Sequence, residues 1–136
     1  MSILLDTDLL SMAGKKNAPR KLLTWFEENE SDIFLSVVTF AELQFGLENA
    51  PATHKPEIAA WLADTRQKFA HATEDLSEGV LVRWKKLIHD LKSKNRTMTC
   101  EDSLIAATAL FHNHTVATHN RRHFEPSGVA LIDPIS

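Results

Sequence analysis

Asp6, Glu42 and Asp102 lie far apart in the chain, yet each sits at or just inside a boundary between predicted elements. Asp6-Thr7-Asp8 follows the apolar run Ile3-Leu4-Leu5. Ser36 follows Ile33-Phe34-Leu35 and leads into a helical pattern whose first turn carries Glu42. Asp102 opens an alanine-rich segment after the polar lead Thr97-Met98-Thr99-Cys100-Glu101. Carboxylates gathered in one place repel and raise one another's pKa unless a cation sits between them. With hard oxygen donors, one cysteine and no paired-histidine spacing, that cation is Mg²⁺ or Mn²⁺ rather than zinc. Each acid also has a purely structural reading. Thr39-Phe40-Ala41-Glu42 fits a capping box, Thr99 to Asp102 is a weaker version, and Asp6 would begin a turn. His112 and His114 straddle a predicted helix end and need not face each other, so they read as surface or satisfied residues.

The elements that must position these acids alternate in type. Short apolar runs at Ser2–Leu5, Ile33–Leu35, Thr115–Thr118 and Val129–Ile132 read as buried strands. Between them, helical spacing covers Lys21–Glu28, Thr39 to the residue before Pro51, Pro56 to Ala70, and Ser77 to Lys94. Asp102–Asn113 leaves almost no polar face, which predicts a helix buried on most sides, its alanines admitting close neighbours. Strands alternating with helices predict an α/β/α sandwich with a central parallel β-sheet, and the functional crevice of such sheets lies at the carboxyl ends of the strands. No repeat or linker divides the chain, so residues 1–136 are expected to form a single domain.

Composition narrows the classes further. The chain has 136 residues, 43% hydrophobic and 24% charged, with 4 Gly and 5 Pro, which excludes collagen-like and disordered chains. Cys100 has no partner for a disulfide, and no apolar run approaches the ~18 residues of a membrane span. The first residues lack the basic region of a signal peptide, and a cytoplasmic domain is the expectation. A net charge of -3 argues superficially against a nucleic-acid partner, but the charges are segregated. Between Arg83 and Arg96 six cations (Arg83, Lys85, Lys86, Lys92, Lys94, Arg96) face one acid, Asp90. Lys15, Lys16, Arg20 and Lys21 form a second group, and Arg121-Arg122 a third. The acids named above account for much of the negative surplus.

Four stretches in order resemble the motifs of PIN-domain ribonucleases of the VapC/FitB toxin type. These are Ile3–Ser11, Ser36–Gly46, Asp102–Leu110 and Val116–Phe124, together covering the length of the chain. The resemblance implies a PIN-like fold and Mg²⁺- or Mn²⁺-dependent hydrolysis of RNA, often tRNA, with Asp6, Glu42 and Asp102 as catalytic residues. Asp6 and Asp102 would hold the metal, and Glu42 would be a ligand or the partner of its water. It also implies a cognate VapB-like antitoxin, a homodimer, and a larger complex on operator DNA formed through the antitoxin. Relatives usually have Asn at the position of Asp8, which adds a possible extra metal ligand here. Many relatives carry a further acid in the fourth motif, commonly at the position of His123. Its absence favours one tightly held metal, with a second arriving only with the substrate's phosphate. Thr118, Asn120, Arg121, Arg122 and His123 are the candidate substrate-binding residues, with Thr118 or Asn120 alternatively orienting a ligand carboxylate. Leu9, Leu10 and Trp61 are read as exposed apolar residues for a dimer or antitoxin groove. Two alternatives stand beside this reading. One is a haloacid-dehalogenase-type phosphatase with Asp6 as nucleophile; the other is a PIN-fold module that binds an antitoxin with weakened catalysis.

Overall fold

Ile3–Leu5 form β1 at the centre of the sheet, because three consecutive apolar side chains can all be buried only on a strand covered on both faces. A computed structural model describes all residues, 1–136. β2 (Ile33–Ser36) and β4 (Thr115–Ala117) flank β1, with β3 (Thr73–Glu74) and β5 (Leu131–Ile132) at the edges. The order is β3-β2-β1-β4-β5 and every pairing is parallel, with Ile3 beside both Ile33 and Thr115. This is the predicted sandwich of helices around a parallel sheet.

Strand alternation divides the core into two layers. Ile3, Leu5, Ile33, Leu35 and Ala117 face one cluster, which includes Leu9 and Leu10 of α1 (Thr7–Ala13), Leu22 of α2 (Arg20–Asn29), Phe40 of α3 (Val37–Glu48) and Leu62 of α4 (Lys55–Lys68). Leu4 and Val116 face the other. There they meet Leu87 and Leu91 of α5 (Glu78–Ser93), Ile105, Ala106 and Ala109 of α6 (Cys100–His112), and Phe124 of α7 (Arg121–Phe124). Gly79 at the start of α5 lies against Phe111 near the end of α6, and Trp84 Nε1 donates to Ser103 Oγ near its beginning. The two helices are therefore antiparallel, and a short connection carries Lys94 and Arg96 to the end of α6 that bears Asp102.

Several boundaries differ from expectation. α1 has no counterpart among the expected elements, because a seven-residue helix holds too few apolar positions for a periodic signal. Its formation buries Leu9 (0% exposed) and Leu10 (4%), so neither is available to a docking groove. Trp61 is half-buried and lies across Gly14; the exposed apolar residues are instead Phe45 and Phe111, among others. α3 starts at Val37, capped by Ser36, which accepts from the Val38 N–H. Thr39 and Glu42 consequently do not form the capping box. β3 is two residues long and left no sequence signal. His112 and His114 do meet, ring centroids 5.7 Å apart, because Asn113 adopts a left-handed conformation (φ 62) that reverses the chain. His114 is satisfied on both nitrogens, Nδ1 by Ser2 Oγ at 2.7 Å and Nε2 by Glu74 Oε2 at 2.6 Å. No helix is long and apolar enough to cross a membrane.

Candidate metal centre at the carboxyl edge of the sheet

Asp6 is the first residue beyond β1, its backbone N–H closing the ladder on the Ala117 carbonyl. It also caps α1, with Oδ1 accepting from the Asp8 N–H at 3.4 Å, while Oδ2 accepts from the Thr118 hydroxyl at 2.7 Å. Thr118 follows β4 directly and is fully buried, so the two central strands deliver acid and hydroxyl side by side. Asp6 is only 4% exposed, and burial pushes its carboxyl up to about 6. The Thr118 hydrogen bond opposes this rise; the charges of Asp8 and Asp102 add to it.

Glu42 projects from α3 toward α1. Thr7 Oγ1 donates to its Oε1 at 2.7 Å, and Thr7 Oγ1 also lies 2.9 Å from Thr39 Oγ1. A hydroxyl has one proton, so with Thr7 donating to Glu42, Thr39 donates to Thr7. The Thr39–Thr7–Glu42 relay fixes one carboxylate oxygen and leaves Oε2 free. Burial raises the Glu42 pKa, the Thr7 bond holds it back, and the charges of Glu101, Asp102 and Asp8 push it further up.

Asp102 occupies the first turn of α6, where Thr99 caps the helix by accepting from the Asp102 N–H at 3.1 Å. The weaker capping signal in the sequence therefore marks a real cap, and it aims the acid. Burial again raises its pKa, opposed by Thr99 and by His123, whose Nδ1 is 3.6 Å from Asp102 Oδ2. The charges of Asp8 and Glu101 reinforce the rise.

Asp6, Glu42 and Asp102 are thus brought to one edge, with Asp8 exposed beside them on α1. Thr118 faces Asp6 rather than solvent and orients that acid; its Oγ1 accepts from the Asn120 N–H at 2.9 Å. Arg121, Arg122 and His123 are exposed on the single turn of α7. Sequence reading missed the roles of Thr7 and Thr39 and left Glu101 out of the acid group. The threonine pairing spans 32 residues, so no local pattern carries it. A groove of about 710 Å³ opens beside the acids, bordered by Thr7, Asp8 and Glu42, by Lys15 and Lys16 just past the end of α1, and by Trp61 of α4.

The family model described as PIN domain matches residues 3–128. The chain belongs to the PIN-domain family. A curated relative, the VapC ribonuclease Y4jK of Sinorhizobium fredii (strain NBRC 101917 / NGR234), is 30% identical over 97% of this chain and 96% of its own. The crystal structure of FitAcB from Neisseria gonorrhoeae superposes with a TM-score of 0.89 at 27% identity, covering 97% of each chain. A structure of FitAB bound to an IR36 DNA fragment gives 0.85 at 25% identity, covering 97% of this chain and 94% of the other. Membership of this family displaces the phosphatase alternative, whose support was the Asp6-Thr7-Asp8 spacing alone.

The donor chemistry of this PIN domain fits a hard divalent cation. Asp6, Asp8, Glu42 and Asp102 offer only oxygen, and no Lys or Arg lies within 4.0 Å of any of them; their one ion-pair neighbour is His123. Carboxylates held above their ordinary range by burial and mutual charge gain most from an added cation. No three His, Cys, Asp or Glu side chains are placed so that together they could hold one ion. Mg²⁺ keeps several of its waters and uses one or two carboxylates, a requirement that an open arrangement meets.

Proposed function

We propose that this PIN domain is the toxin of a type II toxin–antitoxin pair and hydrolyses RNA phosphodiester bonds at a Mg²⁺ or Mn²⁺ site held by Asp6 and Asp102. The convergence of Asp6, Glu42 and Asp102, with every one of their pKa values raised, carries the reading. When bound there, the ion supplies a Lewis acid that offsets charge on the phosphate and acidifies an attacking water. Thr118 holds Asp6 Oδ2 in place, and Thr99 sets Asp102 through its backbone. Glu42 keeps Oε1 on Thr7 and uses the free Oε2 to orient the water and take its proton, a task to which a raised pKa is suited. The water oxygen bonds to phosphorus as the P–O3′ bond breaks, and the leaving oxygen is protonated. The products are a 5′-phosphate and a 3′-hydroxyl, without participation by the 2′-hydroxyl. Arg121 and Arg122 engage the RNA backbone and offset its repulsion from the acids.

The similarity to FitAcB and to DNA-bound FitAB supports a small VapB/FitA-like antitoxin as partner. On this reading the toxin is a cytoplasmic homodimer and reaches operator DNA through the antitoxin. The test is direct. Purified protein with Mn²⁺ or Mg²⁺ is expected to cleave tRNA or single-stranded RNA and to spare single-stranded DNA. Asp6→Asn, Glu42→Gln and Asp102→Asn should each lower the rate by about 100-fold or more at unchanged circular dichroism. Cleavage that survives Asp6→Asn, or that persists in excess chelator, overturns the assignment.

A further inference from the structure

Hydrolysis of a phosphodiester needs a proton for the departing O3′, and carboxylates with a cation among them have none to give. The same edge of the sheet holds an imidazole that does. Asp133 is the first residue beyond β5 and His119 the second beyond β4, two strands joined there by the Thr118 N–H donating to the Ile132 carbonyl. The Asp133 side chain is only 7% exposed, and its Oδ2 accepts from His119 Nδ1 at 3.2 Å. Asp133 Oδ1 accepts from the Ile135 N–H at 3.1 Å, which fixes the carboxylate in turn. The His119 side chain is 48% exposed, and its Nε2 makes no hydrogen bond within the chain. A buried carboxylate that sets an imidazole by one nitrogen and leaves the other open is an arrangement suited to proton transfer.

We propose that His119, oriented by Asp133, is the general acid that protonates the departing O3′. The inference rests on the reading of the acids as a ribonuclease centre given above, and names the proton donor that reading leaves open. The order of the strands carries it. Glu42, which takes the water's proton, comes from α3, the helix that follows β2. Asp6 stands at the end of β1 in the middle, bonded to Thr118, and His119 is the next residue after Thr118 on the side of β4 and β5. Neighbouring strands lie ~4.8 Å apart, so β2 and β4 are about 10 Å apart across β1. In-line displacement puts the entering and leaving oxygens on opposite sides of phosphorus. A phosphate held at Asp6 then has Glu42 on one side and His119 on the other. With both ring nitrogens protonated, Nδ1–H stays on Asp133. The Nε2 proton passes to O3′ as the P–O3′ bond breaks and its electron pair goes to that oxygen. The ring is left neutral and recovers a proton from water at its exposed edge. His123 also stands at the rim, but its Nδ1 is 3.6 Å from Asp102 Oδ2, too far for a hydrogen bond to orient it.

The experiment compares single-turnover cleavage of an RNA oligonucleotide at one mapped linkage with cleavage of the same oligonucleotide carrying sulfur in place of that O3′. Mn²⁺ is present throughout, and circular dichroism checks that each variant is folded. A thiolate leaves without a proton, so the sulfur linkage has no need of the acid. His119→Ala should cut the oxygen linkage roughly 100-fold more slowly than wild type, and the sulfur linkage within about threefold of wild type. Asp133→Asn, which keeps an oxygen for the Ile135 N–H, should lose roughly 10-fold on oxygen and recover on sulfur in the same way. A structural role would slow both substrates alike, and His123→Ala should show the same ratio to wild type on the two. Equal losses of His119→Ala on both substrates, rescue of His123→Ala instead, or a sulfur linkage that resists wild type while the oxygen linkage is cut overturns the proposal and leaves the ribonuclease reading standing. Wild type that cuts neither linkage overturns that reading, and the proposal with it.

Discussion

Asp6 is destabilising in the metal-free protein, because its folded-state carboxyl titrates near 6 against 3.8 for an ordinary aspartate. Between those values the folded chain holds a proton that the unfolded chain has released. Its contribution is therefore fully present below pH ~4 and is lost as pH rises through 6, by up to about 3 kcal/mol. In chelator, Asp6→Asn should be more stable than wild type at pH 7.5 by roughly 1–2 kcal/mol. Asn caps helices as well as Asp but keeps only one acceptor oxygen for Asp8 and Thr118, which reduces the gain. The difference, followed by urea denaturation, should close below pH 4; a difference independent of pH would remove burial of the charge as its cause. Asp6 and Asp102 were legible from position, since each stands at an element boundary; Glu42, expected in a first turn, stands in the second turn of α3, because that helix begins at Val37. The hydroxyl partners of the acids were not legible. Thr7 and Thr39 come together only when α1 packs on α3, and Thr118 meets Asp6 only across the β1–β4 pairing.

At the scale of elements, two glycines test how the helices are seated. A Cβ on Gly14 would stand 2.4 Å from Trp61 Cε2, inside a half-buried indole that joins the end of α1 to α4. Gly14→Ala forces that ring to move, and overpacking of this kind costs about 1–3 kcal/mol. Calorimetry should show a melting temperature lower by roughly 3–10 °C. A Cβ on Gly79 meets Phe111 Cζ at the same 2.4 Å, but Phe111 is 48% exposed and its ring end can swing into solvent. Gly79→Ala also gains helix propensity in α5, so its melting temperature should stay within about 2 °C of wild type or rise. The long helices were readable because α5 and α6 carry enough turns to show a face, or the lack of one. α1 and β3 were not, being too short to repeat a pattern; packing alone stabilises them.

Over the whole molecule, a net charge of -3 conceals a separation of signs. The acids gather at the carboxyl edge of the sheet. The antiparallel packing of α5 on α6 brings Lys94 and Arg96 toward that same edge, and α7 adds Arg121 and Arg122. Lys85 and Lys86 lie on the outer face of α5, exposed. On the proposed ribonuclease reading, fluorescence anisotropy with an RNA oligonucleotide, in an Asp102→Asn background, separates these groups. Lys94→Gln with Arg96→Gln, and Arg121→Gln with Arg122→Gln, should each reduce the slope of log K against log salt by roughly 1–2. Lys85→Gln with Lys86→Gln should leave it unchanged, and equal effects of all three pairs would mean that no RNA path is defined. From the sequence by itself came the class of fold, since uninterrupted apolar strands require cover on both faces, and the chemistry of the acids, since residue type sets donor hardness. The tertiary structure decided which polar groups partner those acids, which leucines are buried, and where the cations stand. Those outcomes depend on contacts between segments tens of residues apart, and no local spacing encodes them.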